Sequence, residues 1–162
     1  MRVYERITIG APAGAVWEHI SDPGRYLHFM SGVTRWEVCG SQRHGLGARY
    51  KMLLRVGSAE VGGLIEIVEN VEPSDLAWVS VTGVDQRGRW RLRAVADATQ
   101  VELRLAYGVA GAGLSGWVAE RLAAPTVRGH LRRSLQQLKR QVEQEQLREA
   151  AAARRAARAQ TG

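Results

Sequence analysis

Residues 125–142, PTVRGHLRRSLQQLKRQV, set Val127, Leu131, Leu135, Leu138 and Val142 at steps of three and four. That spacing gives one apolar stripe along about four turns of helix, flanked by arginine, glutamine and lysine. The pattern is helical from Leu114 onward, and Pro125 is read as opening the main segment, where its missing N–H is no loss. The stripe stops at Val142. Glu143 to Gly162 is alanine, arginine, glutamine and glutamate with little apolar periodicity, which predicts a projecting helix that frays into a disordered tail. The expected division is therefore a domain over 1–142 and a helical or disordered tail over 143–162.

A helix with one apolar face needs a surface to cover, and the preceding chain supplies alternating strands. Val3 to Ile9 reads as a first strand. Ala11-Pro12 then opens a short helix carrying Val16, Trp17 and Ile20, and Asp22-Pro23 starts a second, with Asp22 as its cap and Tyr26, Phe29 and Met30 as its apolar residues. From Arg49 the period is two: Tyr50, Met52, Leu54 and Val56 face one side, Arg49, Lys51 and Arg55 the other. Val61, Gly63, Ile65 and Ile67 repeat the pattern. Leu76 to Thr82 is a strand with apolar residues on both faces. Trp90, Leu92, Ala94 and Ala96 oppose Arg89, Arg91 and Arg93; Val101, Leu103, Leu105, Tyr107 and Val109 oppose Glu102 and Arg104. Asp97-Ala98-Thr99 joins these two as a hairpin, and the glycine-rich stretch Gly108–Gly116 ends the strands.

Composition narrows the function classes. The 162 residues are 45% hydrophobic and 24% charged, enough for a real core without disulfide or metal staples. Disordered, mini-protein and repeat architectures are excluded. The single cysteine, Cys39, and the lack of zinc-ligand spacing predict a reducing, cytoplasmic setting with no metal and no cofactor. Charges at Arg2, Glu5 and Arg6 argue against a signal peptide, and no apolar run approaches the ~20 residues that span a bilayer. The net charge of +7 is spread along the chain. Arg89, Arg91, Arg93 and Arg104 form a small outer stripe, read as a solvated face with Glu102 partly neutralising it. Without exposed aromatics or a recognition helix it predicts no nucleic-acid partner, and transient contact with an anionic membrane is its minority reading.

Ile7-Thr8-Ile9-Gly10-Ala11-Pro12 with Val16-Trp17, Asp22-Pro23 and Tyr26, the Gly45-Leu46-Gly47 loop entering a strand, and the terminal helix resemble the START and polyketide cyclase/dehydrase (SRPBCC) superfamily. The resemblance covers about residues 1–142. It implies an α+β helix-grip fold: a curved seven-stranded antiparallel sheet around a long C-terminal helix, two short helices after strand 1, and an apolar cavity for a lipid, polyketide or other hydrophobic molecule. Cyclases of that superfamily commonly line the cavity with polar groups, including arginine. Here no arginine alternates into the set Val61, Gly63, Ile65 and Ile67, which favours binding an apolar body over cyclase or dehydratase catalysis.

The chemistry-bearing residues are few. His28, on the second short helix where the superfamily often has its cavity entrance, is the one weak catalytic candidate, and a surface histidine is its plainer reading. His19, His44 and His130 rank lower, with His130 expected in solvent. Cys39 has no flanking His or Lys and reads as a small apolar filler. Serine-hydrolase, nucleotide and metalloprotease motifs do not occur. Five Trp and four Tyr against one Phe give most large rings a polar tip, suited to a pocket wall. The expected ligand contacts are Tyr50, Met52, Leu54, Ile65, Trp90, Leu92, Leu105 and Tyr107 on the sheet, with Tyr26, Phe29 and Met30 at a movable entrance.

The expected function is binding or transport of a hydrophobic small molecule. A cyclase/dehydratase-type enzyme and a protein-interaction module using the tail are the alternatives. The stripe itself is testable. Leu135→Asp should cost at least the about 2–5 kcal/mol of truncating a buried leucine, because an unpaired charge adds to the loss. A variant that melts with the parent would take the stripe out of the core.

Overall fold

The computed structural model describes residues 1–108 and 113–160, with side chains for all of these except 113–122. The elements run β1 (Arg2–Ile9), α1 (Ala13–Ser21), α2 (Tyr26–Phe29), β2 (Val33–Cys39), β3 (Arg49–Val56), β4 (Ala59–Val71), β5 (Asp75–Ser80), β6 (Asp85–Val95), β7 (Ala98–Gly108) and α3 (Gly113–Gln160). The strands make one seven-stranded antiparallel sheet in the order β1-β7-β6-β5-β4-β3-β2. Strands β2 to β7 form a meander, and β1 closes the edge beside β7. Helix α3 packs on this sheet, chiefly against β1, with further contacts to β7 and β3. This is the expected helix-grip architecture.

The stripe does what its spacing dictates: Val127, Leu131, Leu135, Leu138 and Val142 are all buried, Leu138 and Val142 completely. Burying each such side chain contributes roughly 1.5–3 kcal/mol, far more than helix propensity supplies. Several local expectations are corrected. Pro125 lies inside α3 rather than at its start. Its ring is exposed, so the helix continues through it with one backbone hydrogen bond forgone. Asp22 does not cap α2; its Oδ1 accepts from Gly24 N at 2.8 Å, a turn that delays the helix to Tyr26. The β6–β7 turn falls at Ala96-Asp97, with Ala96 at φ 52°, and Ala94 and Ala96 are exposed because that end of β6 runs past the core. Past Val142, α3 stays helical to Gln160. Val109 and part of the glycine-rich connection lie outside the described residues.

The undecided strand resolves through a long-range pairing. In β5, Trp78 pairs with Gly88 of β6, and its indole lies over that glycine on the concave side. A Cβ at Gly88 would stand 1.9 Å from Trp78 Cζ2, so the ring occupies the place of a side chain on β6. On the convex face Asp75 is nearly enclosed by Arg93 (3.0 Å), Arg91 (3.3 Å) and Arg89 (3.6 Å). Burial works to raise its pKa, but the hydrogen bonds from Arg93, Ser74 and Arg91 outweigh this and hold the carboxyl below its usual range. Glu102 plays the same part for Arg6 and Arg104. The arginine stripe is thus organised around two shielded carboxylates.

Helix α2 has more anchors than its length suggests. Ser31 N donates to Ser134 Oγ at 2.8 Å, and Gln141 Nε2 to His28 O at 2.7 Å. His130 is half-buried rather than solvated, because three elements converge on its ring. Arg55 O, 3.0 Å from Nε2, can only accept, and the Arg133 guanidinium, 2.9 Å from Nδ1, can only donate. The ring is therefore neutral with its proton on Nε2, and Ser31 Oγ lies 3.2 Å from Nδ1.

Two predictions follow from this packing. Gly88→Ala should destabilise by about 1–3 kcal/mol through overpacking, and the loss should shrink when Trp78→Leu is added, read in thermal melts as a double-mutant cycle. For His130, burial first and Arg133 second hold the folded pKa below the usual histidine value. The unfolded chain then takes up a proton before the folded one does, so the contribution is complete above about pH 6.5 and lost as pH falls through the lower folded value. The stability gap between wild type and His130→Gln should narrow as pH falls from neutrality; a pH-independent gap would show that this ring does not titrate there.

Candidate functional site

The concave face is divided into a filled half and an open half. In the filled half, Tyr26 stacks on Trp36 with centroids 4.0 Å apart, and Trp36 on Tyr50 at 5.2 Å. Phe29 tilts against Tyr26 at 5.2 Å and meets Trp90 edge-on at 6.2 Å. Trp90 Nε1 donates to Tyr26 Oη at 2.6 Å, and Tyr50 Oη donates to Arg43 O at 2.6 Å. Five rings thus form one body between α2 and the sheet. Burial holds the Tyr26 phenol far above its ordinary pKa and pushes Tyr50 up to about 12, so both stay protonated at neutral pH. They cannot serve as phenolate bases.

The open half holds a cavity of about 210 Å³ between β3, β4, β7, the start of β6 and α3. Met52, Leu54 and Val56 come from β3, Val61 and Gly62 from β4, Leu105 and Tyr107 from β7, Ala123 and Val127 from α3. Gly62 is required by closeness: a Cβ there would meet Met52 O at 2.1 Å. Gln86, 5% exposed, is with Tyr107 the polar element of this wall among the described side chains. A second, smaller void of about 30 Å³ shares Met52, Leu54 and Leu105 with the cavity and is also bordered by Met30, Trp36, Trp78, Leu103 and His130. A wider furrow of about 650 Å³ runs over the convex face among Arg2, Arg6, Arg87, Arg89, Arg104 and Glu69; it is polar and lies outside the grip.

The residues expected at the ligand are therefore brought together in two groups. Met52, Leu54, Leu105 and Tyr107 line the cavity, and Met30 borders the small void. Tyr26, Phe29, Tyr50, Ile65, Trp90 and Leu92 lie in the filled core, with Phe29, Ile65 and Trp90 wholly inaccessible, and α2 is a packed wall there rather than an open mouth. His28 points to solvent and borders neither space. His19 is buried, its Nε2 2.9 Å from Glu145 Oε2, tying α1 to α3. Cys39 is half-buried at the end of β2. Among the described residues no cluster of His, Cys, Asp or Glu could hold a metal, and no helix is long and apolar enough to cross a membrane.

Sequence reading missed three residues of this region. Gln86 continues the inward alternation of Trp90 and Leu92 backward through Gly88, a signal present in the sequence. Trp36 and Trp78 had no such signal, since their places depend on which strands pair. Both are buried, at 7% and 3% exposure, and both indole N–H groups lack a hydrogen-bond partner among the described residues. This contrasts with Trp90, whose N–H is matched.

Comparison with solved structures places this geometry among relatives of similar size. The protein TTHA0849 from Thermus thermophilus superposes with a TM-score of 0.77 at 20% identity, over 90% of this chain and 99% of that one. The ZhuI aromatase/cyclase from a Streptomyces species gives 0.71 at 20% identity, over 88% and 93%. The KanY protein gives 0.72 at 17%, over 88% and 97%. At these identities the likeness is one of fold. No curated protein matches the sequence. A family model described as polyketide cyclase / dehydrase and lipid transport matches residues 1–143, the whole of the sheet and α3 through the end of its buried stripe, and the chain belongs to that family.

Proposed function

We propose that the protein binds a small hydrophobic molecule in the cavity between β3, β4, β7 and α3 and carries it unchanged, in the cytoplasm. Residues 1–142 are the binding domain in this reading, and α3 beyond Val142 is an appendage to it. One observation carries the proposal: the 210 Å³ cavity has a wall of Met, Leu, Val and Ala with Gln86 and Tyr107 as its described polar groups. Such a wall suits an apolar body oriented by one or two polar contacts. An apolar cavity of about 150 Å³ accepts benzene, so this space suits a one- or two-ring body or a short acyl chain of a lipid or polyketide-like compound.

Catalysis is the weaker reading because the groups near the cavity are not poised for proton transfer. Both nitrogens of His130 are engaged, Tyr26 and Tyr50 lie in the filled core away from the cavity, and the described wall carries no carboxylate. Native mass spectrometry of freshly purified protein, with extraction of any bound compound, tests occupancy directly. Titration with naphthalene and with decanoic acid should give saturable binding, weakened at least tenfold by Val61→Phe, which fills the cavity from β4. Recovered ligand should be chemically unchanged; a new chromophore released from an aromatic polyketide mimic would favour the cyclase. Failure of folded protein to bind either probe would overturn the cavity reading.

A further inference from the structure

Six polar or charged side chains are buried among the described residues, and five of them are matched. His19 is held by Glu145, arginines cover Asp75 and Glu102, Thr99 Oγ1 donates to Ala11 O, and Ser134 Oγ accepts from Ser31 N and donates to His130 O. Gln86 is the exception. Its backbone is fixed, pairing with Tyr107 and donating to Ser80 Oγ at 3.1 Å, yet its carboxamide makes no hydrogen bond to a described residue. Unlike the indole nitrogens of Trp36 and Trp78, neither end of that carboxamide is sealed off by packing. The space it borders is the 210 Å³ cavity, whose wall it joins. An unmatched buried amide is costly, and native proteins keep few such groups.

We infer that Gln86 anchors the polar head of the ligand, and that this head is an uncharged oxygen group, a hydroxyl or a ketone. The inference rests on the binding function proposed above and names the class of molecule the cavity takes. A carboxamide offers a carbonyl that accepts and an NH2 that donates. A hydroxyl can answer either end, and a ketone answers the NH2. An ionised carboxylate or ammonium would leave water for a wall with no opposite charge among its described side chains, which costs more than one hydrogen bond returns. The placement suits an end group. On the inward row of β6 the next position is Gly88, where the Trp78 indole stands in for a side chain, so Gln86 sits at the border between the filled and the open half. There it meets the head of a ligand whose apolar body lies along Met52, Leu54 and Leu105.

The probes are 2-naphthol and 2-methylnaphthalene, which share a shape and differ by a hydroxyl against a methyl. Gln86→Met keeps the length of the side chain and removes its hydrogen bonds. The affinity of 2-naphthol relative to 2-methylnaphthalene should fall about five- to tenfold in this variant, the usual worth of a buried hydrogen bond. A loss of packing alone would weaken both probes alike and leave the ratio where it was. In the unmodified protein, the side-chain amide resonances of Gln86 should move with 2-naphthol and not with 2-methylnaphthalene, a readout that does not depend on the variant folding. A ratio unchanged by Gln86→Met, or amide resonances that respond equally to both probes, would overturn the anchor and leave the cavity standing. Tighter binding of 2-naphthoate than of 2-naphthol would overturn the uncharged class. Binding of neither neutral probe by folded protein would remove the cavity reading and the anchor together.

Discussion

A curved sheet that grips a single helix encloses more volume than the helix can fill, and the rest of this structure answers that constraint. Val127 to Val142 fill the middle of the concave face. Five rings from α2, β2, β3 and β6 fill one flank, locked by the Trp90–Tyr26 hydrogen bond and the Tyr26–Trp36–Tyr50 stack. What neither occupies is the space beside Met52, Leu54, Val61 and Leu105. The cavity is thus what the helix stripe and the ring body leave over, bounded by side chains of β3, β4, β7 and α3.

The polar chemistry under the sheet follows the same division. Near the α2–β2 turn the groups are partnered: Ser31, His130, Arg133 and Ser134 satisfy one another and Arg55 O. This makes a short helix, which would be marginal in isolation, into a fixed wall. The two buried side-chain donors without a partner among the described residues, the indole N–H groups of Trp36 and Trp78, lie instead on β2 and β5.

Much of this was legible in the sequence. The three- and four-residue steps from Val127 to Val142 gave the central helix, and the alternation in β3, β6 and β7 gave the inward residues, because one face of each is apolar and the other charged. The reading faltered at β5, where Asp75, Leu76, Ala77 and Trp78 are all buried and the period vanishes. Asp75 is buried by arginines from the next strand, and Trp78 by sitting over a glycine of that strand; neither can be seen without the pairing. The same limit applies to the site. Which aromatic residues fill the core depends on ring-to-ring contacts between elements far apart in sequence, such as the Tyr26–Trp36–Tyr50 stack, and these cannot be read from the period of any one strand.

The cluster on the convex face carries a lopsided tolerance to change. One carboxylate, Asp75, answers three guanidinium groups on the neighbouring strand, and Arg89 has Glu69 as a second partner. Loss of any one arginine leaves the anion covered by the others. Loss of the anion leaves three like charges at alternate positions of one strand, facing the same way, with only Arg89 keeping its second partner, Glu69. A substitution is therefore tolerated more readily at any one of the three cations than at the single acid they share.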